Sequence, residues 1–90
     1  MKDYEWNEEK NQWLRLNRDI SFEDIVYFIE HDGLLDDLEH PDKKKYPRQR
    51  VFVVKSDTYT YLVPYVEEET YYFLKTIIPS RVANKKYTGQ

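Results

Sequence analysis

Three closely spaced runs of β-branched and aromatic residues fill the second half of this chain. They are Arg50-Val51-Phe52-Val53-Val54-Lys55, Tyr59 to Val66, and Thr70 to Ile78. Residues of these types favour a pleated, packed surface. The breaks between the runs are short and polar: Ser56-Asp57 has hairpin size, and Glu67-Glu68-Glu69 turns the chain again. The spacing predicts a three-stranded antiparallel meander. In the third run Tyr71, Phe73, Lys75 and Ile77 fall on one face, and Tyr72, Leu74, Thr76 and Ile78 on the other. Pro79 has no N–H for a ladder, so the strand is expected to stop there. Ser80 to Tyr87 reads as a short basic tail.

The first half supplies packing for this sheet. Tyr4-Glu5-Trp6 has extended character and suits an added edge strand. Asn7 suits an N-cap, with Glu8 and Glu9 in the first turn, where the helix dipole favours carboxylates. A helix from about Glu8 to Asn17 follows, with Trp13 and Leu14 as its expected core contacts. Ser21-Phe22-Glu23-Asp24 has the form of a capping box, and Ile20 and Ile25 occupy the positions of a hydrophobic staple. Phe22, Ile25, Val26 and Ile29 share one helical face. Gly33 is expected as a left-handed C-cap. Leu34 to Glu39 can form a short strand before Pro41, and Asp42 to Pro47 reads as a solvated loop. The layout is strand, helix, helix and four strands: an α+β domain over residues 1–90, with two N-terminal helices on a mostly antiparallel sheet.

Ninety residues allow one small core. The chain has no cysteine, which excludes a disulfide staple and a thiolate metal site. No signal segment is visible, and no apolar run approaches a membrane span, so a cytoplasmic protein with no membrane partner is expected. The net charge of −3 alone predicts no affinity for nucleic acid. Its distribution says more. Residues 1–42 hold 13 acids against 4 bases, a balance of −9; residues 43–90 hold 10 bases against 4 acids, a balance of +6. Such polarity suits an oriented interaction surface, or two halves that neutralise each other.

Two sets of side chains could carry chemistry. The first is basic and aromatic: Arg48, Arg50, Lys75, Arg81, Lys85, Lys86 and Tyr87, with Tyr59, Tyr61, Tyr65 and Tyr71. Arginine forks bind phosphate, and aromatic faces stack unpaired bases. Such a set can cleave RNA without a metal. One group takes the 2′-hydroxyl proton, cations stabilise the phosphorane, and another group protonates the leaving oxygen. The plain alternative is a tyrosine-rich sheet kept in solution by lysines. The second set is Asp36, Asp37, Glu39, His40 and Asp42, whose types suit Mg²⁺ or Mn²⁺. On a strand Asp36 and Asp37 point to opposite faces, so an acidic solvated edge is the simpler reading. His31 reads as a helix-end histidine favoured by the dipole.

Several of these segments, taken in order, resemble the BrnT-like toxins of bacterial type II toxin–antitoxin systems. Glu5-Trp6-Asn7-Glu8-Glu9-Lys10 is similar to that family's opening Glu-Trp-Asp with a lysine three residues on. Ile20-Ser21-Phe22-Glu23 is similar to its Gly-x-Ser-Phe-Glu, and Arg50 stands where the family has an arginine. Ile77-Ile78-Pro79-Ser80-Arg81-Val82-Ala83-Asn84-Lys85-Lys86 resembles its Ile-Ile-Ser-Ala-Arg-x-Ala-x-Arg-Arg tail. Where the family carries Lys-His-Gly, this chain has Asn17-Arg18-Asp19.

The resemblance implies a RelE/ParE-like fold and a cofactor-free, metal-independent endoribonuclease that stops translation. Its partners would be a cognate antitoxin over the basic face and RNA, as messenger alone or on the ribosome. It implies catalytic roles for Arg50, Arg81, Lys75 and Tyr87, and RNA contacts from Arg48, Lys85, Lys86 and Tyr61. The missing Lys-His pair motivates an alternative: a protein-binding module of the same fold without catalysis, docking through Tyr59, Tyr61 and Tyr65.

Overall fold

The computed structural model describes residues 2–89. In chain order, β1 (Asp3–Trp6), α1 (Glu8–Arg18) and α2 (Phe22–Phe28) lead through a π-helical turn (Ile29–Gly33) into β2 (Leu34–Glu39). Then come β3 (Gln49–Lys55), β4 (Thr60–Glu67), β5 (Tyr71–Leu74), β6 (Ile78–Pro79) and α3 (Arg81–Thr88). The strands form one sheet in the order β1-β5-β4-β3-β2, with β6 paired to the start of β4. Among the described strands, only β1, beside β5, runs parallel to its neighbour. This is an α+β fold with a mostly antiparallel sheet.

Local signals place the first two helices. Asn7 caps α1 by accepting the Lys10 N–H at 2.9 Å. Ser21 and Asp24 form both arms of a capping box at the start of α2. Leu14, Phe22 and Ile25 are fully buried, and Ile20 joins them. They pack on one face of the sheet against Phe52, Val54, Val63, Tyr65 and Leu74. Phe52 and Tyr65 stack at 3.8 Å between ring centroids, and Trp6 stacks on Phe22 at 5.6 Å.

The period of two sends the alternate residues of the same strands to the opposite face. Val53 lies there opposite Leu62, and Val51 opposite Pro64. On this face α3 crosses the sheet. Asn84 accepts the Thr60 hydroxyl at 2.9 Å, the Tyr87 hydroxyl donates to Asp36 at 2.7 Å, and Ala83 is buried.

Four expectations need correction. The basic tail is a helix: Ser80 caps it by accepting the Ala83 N–H, and Gly89 closes it at φ 75°. The third run is not one strand. β5 pairs with residues 65–67, the Lys75 N–H bonds the Pro64 carbonyl, and β6 pairs with residues 61–62, with Pro79 inside it. Alternation fails in between, because Leu74 and Ile77, three apart, are both fully buried.

Trp13 is 44% exposed, with Lys10 and Arg18 over its ring. The buried partner of Leu14 is Asn11, which accepts the Phe22 N–H and donates to Glu23, both at 2.7 Å. Gly33 is not left-handed; Asp32 takes that conformation at φ 68°. Gly33 is required by crowding, since a Cβ there would lie 2.5 Å from the Phe28 carbonyl oxygen and 2.7 Å from that of Lys55.

Candidate functional site

Strand β2 decides where the predicted cations go. A bulge at Leu35 resets its register, so that Asp36 lies opposite Val53 and Asp37 opposite Phe52. The two neighbouring carboxylates therefore serve opposite faces of the sheet.

Asp37 serves the face covered by α1 and α2. It accepts the Tyr65 hydroxyl at 2.8 Å and Arg50 Nε at 3.2 Å, while Arg50 also reaches the Asp37 carbonyl at 3.1 Å. Tyr65, opposite Arg50 in the ladder, is almost wholly buried. Burial pushes its phenol far above the ordinary value, and the hydrogen bond to Asp37 adds to this. The Tyr65 hydroxyl and the Asp37 charge keep Arg50 firmly protonated. A groove of about 350 Å³ opens beside it, lined by Arg48, Arg50, Gln49, His40, Lys43 and Glu67. Its cations are largely matched: Arg48 pairs with Glu68 at 3.0 Å, and Lys43 pairs with Glu39.

Asp36 serves the α3 face. It accepts the Tyr87 hydroxyl, and this bond, helped by the Asp37 N–H and the Lys86 charge, holds its carboxyl below the usual range. The same bond raises the Tyr87 phenol. Beyond Tyr87, the outer side of α3 carries Arg81, Lys85 and Lys86 around an exposed Val82. Among the described residues, none of these three cations forms an ion pair. Lys75 is also exposed, its ammonium 5.3 Å from the Phe73 ring centre.

The predicted catalytic set thus splits in two. Ser80, just before Arg81, bonds to Thr60 at the start of β4, whereas Arg50 faces Tyr65 near its end. Five residues of strand, roughly 16 Å, lie between them, and the two arginines approach opposite faces. Tyr87, Lys85 and Lys86 stay with Arg81; Arg48 stays with Arg50. Tyr61 is half-buried among the core aromatics, beside Tyr59 at 6.2 Å. Tyr65, expected on a docking surface, belongs to the core instead. The acidic set does not converge, since Asp36 and Asp37 diverge and Glu39 turns to Lys43. His31 stacks on Tyr27 and contacts that residue's carbonyl through Nδ1 at 2.7 Å.

Sequence reading missed Asp36 and Asp37 as the partners of Tyr87 and Arg50. Adjacent acids on an alternating strand, one for each face, were the available signal. Comparison of the chain with protein-family models, with curated proteins and with solved structures finds no match. Among the described residues no helix is long and apolar enough to cross a membrane.

Proposed function

We propose that this chain is the toxin half of a type II toxin–antitoxin pair, a cytoplasmic endoribonuclease that cuts RNA without a metal and is held in check by a cognate antitoxin. The chain-wide resemblance to BrnT-like toxins supports this reading. The observation that carries it is the outer side of α3. Arg81 stands at the first helical position, where the dipole disfavours a cation, with no acid in that turn and no ion-pair partner among the described residues. No ion pair among the described residues uses this guanidinium, which leaves it open to a phosphate. In this reading the 2′-hydroxyl gives its proton to solvent water as its oxygen bonds to phosphorus, Arg81 and Lys85 neutralise the phosphorane, Lys86 holds the adjacent phosphate, and Tyr87 leaves Asp36 and gives its proton to the 5′-oxygen as that P–O bond breaks. Arg50 and Arg48 bind the flanking strand, and Lys75 adds positive potential.

A second reading is favoured by one observation: Arg50 and Tyr87 are already engaged by Asp37 and Asp36. A non-catalytic binding module of the same fold would keep them so. Induced expression in bacteria separates the two, with wild type beside Arg81→Ala and total RNA resolved on a gel. Growth arrest with RNA fragments for wild type alone is the expected result. Normal growth and intact RNA in both, with folded protein and no antitoxin present, would select the binding module. Equal toxicity in both would remove Arg81 from the site.

A further inference from the structure

The edge of the sheet formed by β1 is built differently from the edge formed by β2. On β2, Asp36, Asp37 and Glu39 are committed to Tyr87, Arg50 and Lys43. On β1 the backbone register decides what is left over. Asp3 lies opposite Tyr71 in a parallel pair, and its N–H bonds the Thr70 carbonyl at 3.2 Å. Asp3 and Glu5 therefore direct their peptide groups at β5, and Tyr4 and Trp6 direct theirs outward. No described strand lies on that side.

A groove of about 480 Å³ runs along this edge, between β1 and the end of the α2 segment. Tyr4, Trp6 and Val26 give it an apolar side with Glu30 beside them, while Asp3 and Glu5, alternating along β1, turn their carboxylates to the opposite face of the same edge. Lys2 also lines it, but its ammonium is held by the Glu67 carboxylate at 2.6 Å and the Glu68 carbonyl at 2.7 Å. The Tyr4 phenol is pushed up by burial, then by Tyr72 and Glu30. The apolar side is rigid, because Tyr4 packs on Tyr72 and Trp6 on Phe22.

The geometry points to an extended segment of a partner protein, alternating basic and apolar residues, that adds to β1 as a further strand. Its backbone would bond Tyr4 and Trp6, its apolar side chains would cover the same two residues and Val26, and its cations, on the other face of the added strand, would meet Asp3 and Glu5. A second copy of this chain fits less well, since β1 laid against itself would set Asp3 and Glu5 against like charges. The surface lies apart from α3, so the inference does not depend on the ribonuclease reading.

The test uses the full chain labelled with ¹⁵N and a synthetic nonapeptide alternating arginine and valine. Two control peptides replace arginine with glutamate, or carry N-methyl groups at alternate residues. Expected are shifts centred on the Tyr4 and Trp6 amides with the basic peptide only. Binding should weaken about tenfold in an Asp3→Asn, Glu5→Gln variant and about threefold in Glu5→Gln alone, and should stay within about twofold in Glu30→Gln, whose side chain lies on the apolar face. Binding by the N-methylated peptide, shifts centred on β2, no loss in the Asp3→Asn, Glu5→Gln variant, or no binding at millimolar peptide would each overturn the proposal. So would a dimer in sedimentation whose Tyr4 and Trp6 amides are protected without peptide.

Discussion

On one face of the sheet α1 and α2 seat Leu14, Phe22 and Ile25 at zero exposure, while on the other α3 seats only Ala83. The first layer is an apolar, aromatic interior in which capping and amphipathic spacing agree. The second is joined by the Ser80 N–H to the Thr60 carbonyl, the Thr60–Asn84 bond and the Tyr87–Asp36 bond, with its outer side given to cations and Val82. Burial of large side chains carries most of the free energy of such a domain, and a single hydrogen bond adds only about 1 kcal/mol. The α1/α2 face therefore sets global stability. The α3 face opens at lower cost.

The largest expected effect breaks the better-packed layer. Phe22→Ala should cost about 3–5 kcal/mol, a large share of the roughly 5–15 kcal/mol that holds a small domain together. Urea unfolding followed by fluorescence and by circular dichroism should show one transition at much lower midpoint. A midpoint close to wild type would refute the idea that this layer dominates. Gly33→Ala should act at the seam where the α2 segment enters the sheet. The new methyl meets backbone oxygens of Phe28 and Lys55, neither of which has a flexible end to move. A loss of about 1–3 kcal/mol is expected from overpacking, below that of Phe22→Ala and visible in the same titration.

The sequence is most readable where one residue pattern serves one structural purpose. Ser21 and Asp24 announced α2, Asn7 announced α1, and the alternating runs announced β3 and β4. Where polar contacts do the packing, hydrophobicity misleads. Asn11 is buried because both ends of its amide are satisfied by α2, and Trp13 stays outside under two cations. The α3 segment offers only Ala83 to the core, so its periodicity was too weak to distinguish a helix from a tail. Gly33 is not the expected left-handed cap; its requirement is a long-range approach to Lys55 that no local pattern encodes. The separation of Arg50 from Arg81 depends on the split between β5 and β6, which is visible only once pairing along β4 is known.

The smallest effect sharpens the comparison most, because it should touch α3 alone. Tyr87 and Asp36 share one hydrogen bond, which holds the Asp36 carboxyl below its ordinary value and the Tyr87 phenol above its own. For the lowered acid, the contribution is present above the unfolded aspartate value of ~3.9 and is lost as pH falls through the folded value. For the raised phenol, it is fully present below the unfolded tyrosine value of ~10 and is lost as pH rises through the folded value. Docking of α3 should thus be firmest between these limits and loosen beyond both. Carbonyl chemical shifts of residues 83–88, followed across pH, should show an acid step and an alkaline step. In Tyr87→Phe the alkaline step should vanish and the acid step move up toward an ordinary aspartate, while the shifts of Val53, Val63 and Leu74 stay fixed. If the core shifts move with those of α3, the two faces are one cooperative unit and the difference between them is only one of appearance.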